Sequence, residues 1–190
     1  MENLLKLLSS IHPLSEELTE YLSKHIKIKE LSKKSFLLKA GRICREICFV
    51  SKGLLRCFYI NGESEVCSWF MKESDIIVSI ESFYQQTESY ESIQALEECT
   101  LYYIEYSELN YIYHHFPEFN FTGRVLTEKY YQLWALQLYA LRMKQAPERY
   151  HWLMEQHAEL ILRVPAKYLA SYLGITEVML SIIKGKRNIS

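Results

Sequence analysis

At 190 residues, with 49% hydrophobic and 24% charged side chains, the chain has the make-up of a globular protein with room for one large domain or two small ones. No segment approaches the roughly 20 apolar residues needed to span a membrane, and the opening MENLLKLLSS lacks the basic start and long apolar run of a secretory signal. The net charge of −1 hides an asymmetry: from Arg163 onward five basic residues face a single acid, Glu177, leaving 17 basic and 22 acidic residues before it. That distribution is expected where only the tail approaches phosphate.

Residues 2–26 carry a helical period, broken at His12-Pro13, with Leu14, Leu18, Tyr21 and Leu22 forming a stripe that starts near Ser15. From about Ile28 the pattern changes to short apolar runs punctuated by turn residues. Phe36–Leu38, Ile47–Val50, Leu54–Ile60, Val66–Met71, Ile76–Ile80, Ser92–Leu96 and Leu101–Ile104 read as strands. Asn61-Gly62 between two such runs is a strong hairpin signal. Seven or eight strands at this spacing predict an antiparallel barrel or jelly roll. The helical period returns at Ser107, and Pro117-Glu118 suit the first turn of a long helix to about Lys144. Leu126, Leu133 and Ala140 recur there every seven residues, and Leu136 widens the apolar surface enough to pack on the chain itself and on a second copy. Ala146-Pro147 breaks that helix, and another runs from Glu148 to about His157. The last segment, RVPAKYLASYLGITEVMLSIIKGKRNIS, reads as two helices, 166–173 and 177–184, about a turn containing Gly174, with Thr176 capping the second.

Five cysteines, Cys44, Cys48, Cys57, Cys67 and Cys99, are an odd number in a chain without a signal peptide, so free thiols and a cytoplasmic location are expected. Cys44 and Cys48 lack a second close pair, which favours buried structural thiols over a metal site. The six histidines show no metal-ligand spacing, and no Walker loop, nucleophile elbow or zinc cluster occurs. The expectation is a protein that is not an enzyme and has no cofactor and no metal.

A small barrel, a long helix and a terminal helix pair, in that order, resemble the cyclic-AMP receptor protein/Fnr family of bacterial transcription regulators, and most closely its short Bacteroidetes-type members. The segments that carry the likeness are FVSKGLLRCFYINGE (49–63), SDIIVSIESF (74–83), SIQALEECTLYYI (92–104), FPEFN (116–120) and RVPAKYLASYLGIT (163–176). The resemblance implies an α+β fold. Residues 1–116 hold N-terminal helices and a double-stranded β-helix (jelly roll) of cyclic-nucleotide-binding type. Residues 117–144 form a dimerisation helix through Leu126, Leu133, Leu136 and Ala140. Residues 145–190 form a helix-turn-helix of winged-helix type, with the wing missing or truncated because the chain ends six residues after Lys184. The implied partners are double-stranded DNA, a second copy of the chain, RNA polymerase and an unidentified small-molecule effector, with no membrane.

In members that bind cyclic nucleotides, a Gly-Glu pair, a short helix and an Arg-Ser pair cradle the ligand. Here Ser74-Asp75 are matched to Gly-Glu, and the Arg-Ser position falls near Ser89-Tyr90, in a stretch without a cation between Glu88 and Glu91. Cyclic AMP is therefore not the expected ligand. Asp75, Ser79, Ser82, Phe83, Ser89 and Tyr90 remain as lining for another effector, and a filled barrel with no ligand stays equally open. For DNA, Lys167, Thr176, Lys184, Lys186 and Arg187 are expected to meet the backbone, Val178 and Met179 to be able to touch thymine methyls, and Glu177 or Ser181 to be able to meet a base edge. The family's base-reading arginine falls on Ile182, so a module that has lost sequence-specific DNA binding is the alternative.

Overall fold

The computed structural model describes residues 1–187, and side chains as far as Gly185. Helices α1 (Glu2–Ile11) and α2 (Glu16–His25) lead into strands β1 (Lys27–Leu31), β2 (Phe36–Leu38), β3 (Glu46–Lys52), β4 (Leu55–Asn61), β5 (Ser64–Met71) and β6 (Ile76–Ile77). A short helix α3 (Ile80–Gln85) precedes β7 (Glu91–Ala95) and β8 (Cys99–Glu105). Helices α4 (Tyr106–His115), α5 (Pro117–Met143), α6 (Ala146–Arg163), α7 (Ala166–Tyr172) and α8 (Glu177–Arg187) follow. The strands form two four-stranded sheets, β1-β8-β3-β6 and β2-β7-β4-β5. This is jelly-roll architecture.

The chain groups into two compact units, one of residues 1–59 and 69–128, the other of 60–68 and 129–190. The first is built on alternation. In β4, Leu55 and Cys57 enter the barrel core with Val50, Ile77, Ile93 and Leu101, while Arg56 and Phe58 point to the opposite face. Leu4 and Leu8 of α1 and Leu18 and Leu22 of α2 join that core. The expected start of α2 holds, since Ser15 Oγ accepts from Leu18 N–H at 3.2 Å. Asn61-Gly62 is the tip between β4 and β5, with Gly62 at φ 61°. All five cysteines are buried, and none of them forms a disulfide. No single helix among the described residues is long and apolar enough to cross a membrane.

Two expectations change. Residues 76–80 do not form one strand: β6 stops at Ile77, and Ser79 becomes the cap of α3. Burial of β6 beside β3 needs only two residues, and the β-branched run Ile-Ile-Val masks the turn that follows. The strand Lys27–Leu31 pairs along β8, although only Ile28 and Leu31 of its five residues are apolar. The helix from Ala146 breaks at His157, as expected, with φ −148° and ψ 55°, and a further helical stretch then runs to Arg163.

In the second unit, residues 60–68 pack with the C-terminal helices. Ser171 Oγ of α7 accepts from Cys67 N–H at 2.9 Å and donates to Glu65 O at 3.0 Å. Gln137 of α5 donates from Nε2 to Ser68 O at 2.8 Å.

Candidate functional site

The first site is the segment around α3. Because α3 begins at Ile80, the pair directly ahead of the short helix is Val78-Ser79 rather than Ser74-Asp75. Ser74, at φ 72°, and Asp75 instead form the turn before β6. There the Asp75 carboxylate accepts from Lys72 N–H at 3.1 Å, and its backbone carbonyl accepts from Val50 N–H.

Four of the six proposed pocket residues, Ser79, Ser82, Phe83 and Ser89, are buried, and their polar atoms meet the chain itself. Ser79 Oγ and Ser89 Oγ lie 2.9 Å apart, and Ser89 Oγ also donates to Glu91 O at 2.9 Å. Ser82 Oγ accepts from Cys44 N–H at 2.8 Å and donates to Thr87 O at 2.6 Å. Phe83 is fully buried, edge-on to Tyr84 and Tyr106. Tyr90 is exposed and stacks on Tyr59 at 5.5 Å. Burial pushes the Glu91 carboxyl up, against a lowering hydrogen bond with Ser79. A phosphate brought here would meet hydroxyls already engaged and a carboxyl group.

Open volume occurs alongside. A cleft of about 170 Å³ is lined by Leu38, Ile43, Cys44, Ile77, Val78 and Ile93, with Lys29 paired to Glu46 among its polar lining residues. It shares none of the six expected pocket residues. A buried cation does exist in this unit, one that sequence reasoning did not single out. Arg56 donates from Nε and Nη2 to Gln94 Oε1 at 3.0 and 2.7 Å and covers the Phe58 ring at 4.0 Å. The signal was an arginine inside the apolar run Leu54–Ile60, but it lies on the strand face opposite the core residues Leu55 and Cys57.

The second site is the corner of α7 and α8. Helix α7 closes as a left-handed glycine cap: Gly174, at φ 63°, donates to Ser171 O and Ile175 N–H to Ala170 O, each at 3.0 Å. Arg149 of α6 holds the turn through Nη2 to Gly174 O at 3.3 Å and Nη1 to Leu141 O at 3.0 Å. Thr176 Oγ1 then accepts from Met179 N–H at 3.1 Å and starts α8. The axes bend by 98° at the break. Leu169, Ala170, Leu173, Leu180 and Ile183 are buried on the inner side. Lys167, Thr176, Glu177, Met179 and Ser181 are exposed, and Lys184 is half-buried. Lys186 and Arg187, also expected at this surface, have side chains outside the described residues, as does any wing beyond them.

The third surface is α5. Leu126 packs against the barrel core, Leu133 is half-buried, and Ala140 is only 2% exposed. Ala140 of the seven-residue series is therefore covered by its own chain, while Leu126 and Leu133 are only partly covered. Leu136 is open, at 54% exposed, and the open positions continue through Tyr131, Trp134, Leu138, Tyr139 and Met143.

A family model described as the cyclic nucleotide-binding domain matches residues 28–115. Among solved structures, a CooA mutant from Carboxydothermus hydrogenoformans is 21% identical with a TM-score of 0.71, covering 90% of this chain and 80% of its own. The c-di-GMP-responsive global regulator CLP of Xanthomonas campestris is 13% identical with a TM-score of 0.72, covering 90% of each chain. A crp/fnr-family transcriptional regulator from Eubacterium rectale is 16% identical with a TM-score of 0.69, covering 93% of this chain and 84% of its own. No curated protein matches the chain significantly. At these identities the likeness is one of fold. Residues 28–115 thus match the cyclic nucleotide-binding domain, and the chain as a whole is similar in fold to these Crp/Fnr-type regulators.

Proposed function

We propose that this chain is a homodimeric, DNA-binding transcription regulator whose barrel does not take cyclic AMP. The observation that carries the reading is the α7–α8 corner. Two short helices meet at 98° through a glycine turn, their inner faces buried and the outer face of α8 left open. This is the geometry that lays a second helix in the major groove. The tail charge supports it, since Lys167, Lys184, Lys186 and Arg187 lie within or beside these helices in sequence. The serine–glutamate cluster at α3 supports the exclusion of cyclic AMP, because its hydroxyls are already bonded to one another and to the chain and lie beside a carboxyl group.

A dimer placing four such cations on phosphate per protomer releases about eight counterions. Its affinity for a pseudo-palindromic duplex is then expected to fall about 10⁴-fold between 50 and 200 mM salt. Fluorescence anisotropy across that range measures it. Absence of duplex binding above background at the lowest salt sinks the reading.

The exposed Ile182 favours a second reading, a ligand-sensing or protein-interaction module without sequence-specific DNA binding. Ile182→Arg separates the two. A true reader changes its preferred site by the 1–3 kcal/mol of one arginine–guanine contact, whereas a non-reader acquires a preference it lacked.

A further inference from the structure

The outward face of α8 is apolar where a base-reading helix is ordinarily polar. Val178, Met179 and Ile182 are 70%, 42% and 49% exposed, while Leu180 and Ile183 of the same helix are buried. Val178 and Ile182 stand one turn apart and lie side by side, with Met179 next to them. Glu177 in the first turn and Ser181 are exposed polar groups on the same helix.

Charge identifies what covers this face. The segment from Arg163 onward carries five basic residues against one acidic, on a body with an excess of acids. Lys167 at the start of α7 is exposed, and Lys184 is half-buried on α8. An apolar patch among cations complements a polyanion that displays apolar groups. The major groove displays one such group, the C5-methyl of thymine, which cytosine also carries when methylated. Cytosine presents its N4 amine near that carbon, and a carboxylate such as Glu177 is its acceptor. Guanine offers only acceptors, O6 and N7, which Glu177 repels and valine or isoleucine cannot bond.

We infer that α8 reads pyrimidine C5-methyl groups in the major groove, with Val178, Met179 and Ile182 against the methyls and Glu177 accepting from a cytosine amine. The inference rests on the DNA-binding reading above and names what that surface recognises. Half-sites are accordingly rich in thymine.

The test selects duplexes from a random pool with the full chain at low salt, then remakes the enriched duplex with uracil in place of thymine. Each methyl lost beneath α8 lowers affinity about fourfold, equivalent to the ~0.8 kcal/mol of a buried CH₂. Two lost in each half-site of a dimer multiply to about two-hundredfold on the same basis. The double variant Val178→Ser, Ile182→Ser changes only exposed positions, and its thermal unfolding checks that it remains folded. It brings the thymine-to-uracil ratio close to one, with both duplexes bound at the weaker level. Equal binding of the two duplexes by the unaltered chain overturns the inference and leaves DNA binding standing. A ratio that persists in the double variant also overturns it, by tracing the effect to duplex shape. If no duplex is enriched, the DNA-binding reading falls, and the inference with it.

Discussion

Gly53→Ala is expected to destabilise the β-domain by about 3–5 kcal/mol, adding backbone strain to overpacking. Gly53 joins β3 to β4 at φ 98°, a conformation that L side chains rarely adopt. A Cβ there would sit 2.6 Å from both Glu98 O and Cys99 Sγ, and 2.9 Å from Cys99 Cα. Two of those three atoms are backbone, so relief requires moving β8 rather than turning a side chain. The Gly53 amide is also fixed, donating to Glu73 Oε1 at 2.9 Å. Gly41→Ala is the control: its φ is 80°, but nothing lies within 4 Å of the added carbon. Only the left-handed penalty of about 1–2 kcal/mol remains at that position. Urea unfolding of the two variants measures the difference. Midpoints shifted equally would show that the crowding at Gly53 relaxes freely.

The double variant Trp134→Glu, Leu138→Glu is expected to convert a dimer into monomers and weaken binding to a palindromic duplex by about a hundredfold or more, as the second half-site loses its tethered partner. Trp134 is 60% exposed and Leu138 46%, one turn apart on the open side of α5. Covering each such side chain in an interface contributes about 1.5–3 kcal/mol. A glutamate in the same place must be desolvated opposite its symmetry mate, so the favourable contribution becomes a penalty. Because both positions are exposed within the protomer, thermal unfolding of the monomer should hardly change. Sedimentation velocity reads the outcome. A wild-type chain that sediments as a monomer at high concentration removes the dimer from the proposal.

The same helix shows how far local pattern reaches. Leu126, Leu133 and Ala140 recur with a heptad's regularity, yet Ala140 faces its own chain and Leu136 faces outward. A helix with apolar residues on several sides has no internal record of which side is covered by its own chain. The α3 segment failed to be read for a different reason. Six residues are too few to show a helical period, and Ile76 to Ile80 match a strand by composition. The hydroxyl pair Ser79–Ser89 joins residues ten apart, which only the return of β7 brings within 2.9 Å. Arg56 is 1% exposed for a similar reason: its burial depends on what covers the outer face of β4.

What the chain determined locally is its punctuation. Ser15 and Thr176 as caps, Gly174 as the left-handed stop and Asn61-Gly62 as a hairpin tip all act through backbone groups within a few residues, so spacing alone exposes them. The order of barrel, long helix and terminal helix pair follows from the change of hydrophobic period along the chain. Tertiary structure decided which faces stay in water. It filled the segment around α3 with the chain's own hydroxyls, turned Ala140 of the heptad series inward, and left Trp134, Val178 and Ile182 open. Burial is a property of what another segment brings, and an apolar side chain reads the same in sequence whether its partner lies in its own protomer or elsewhere.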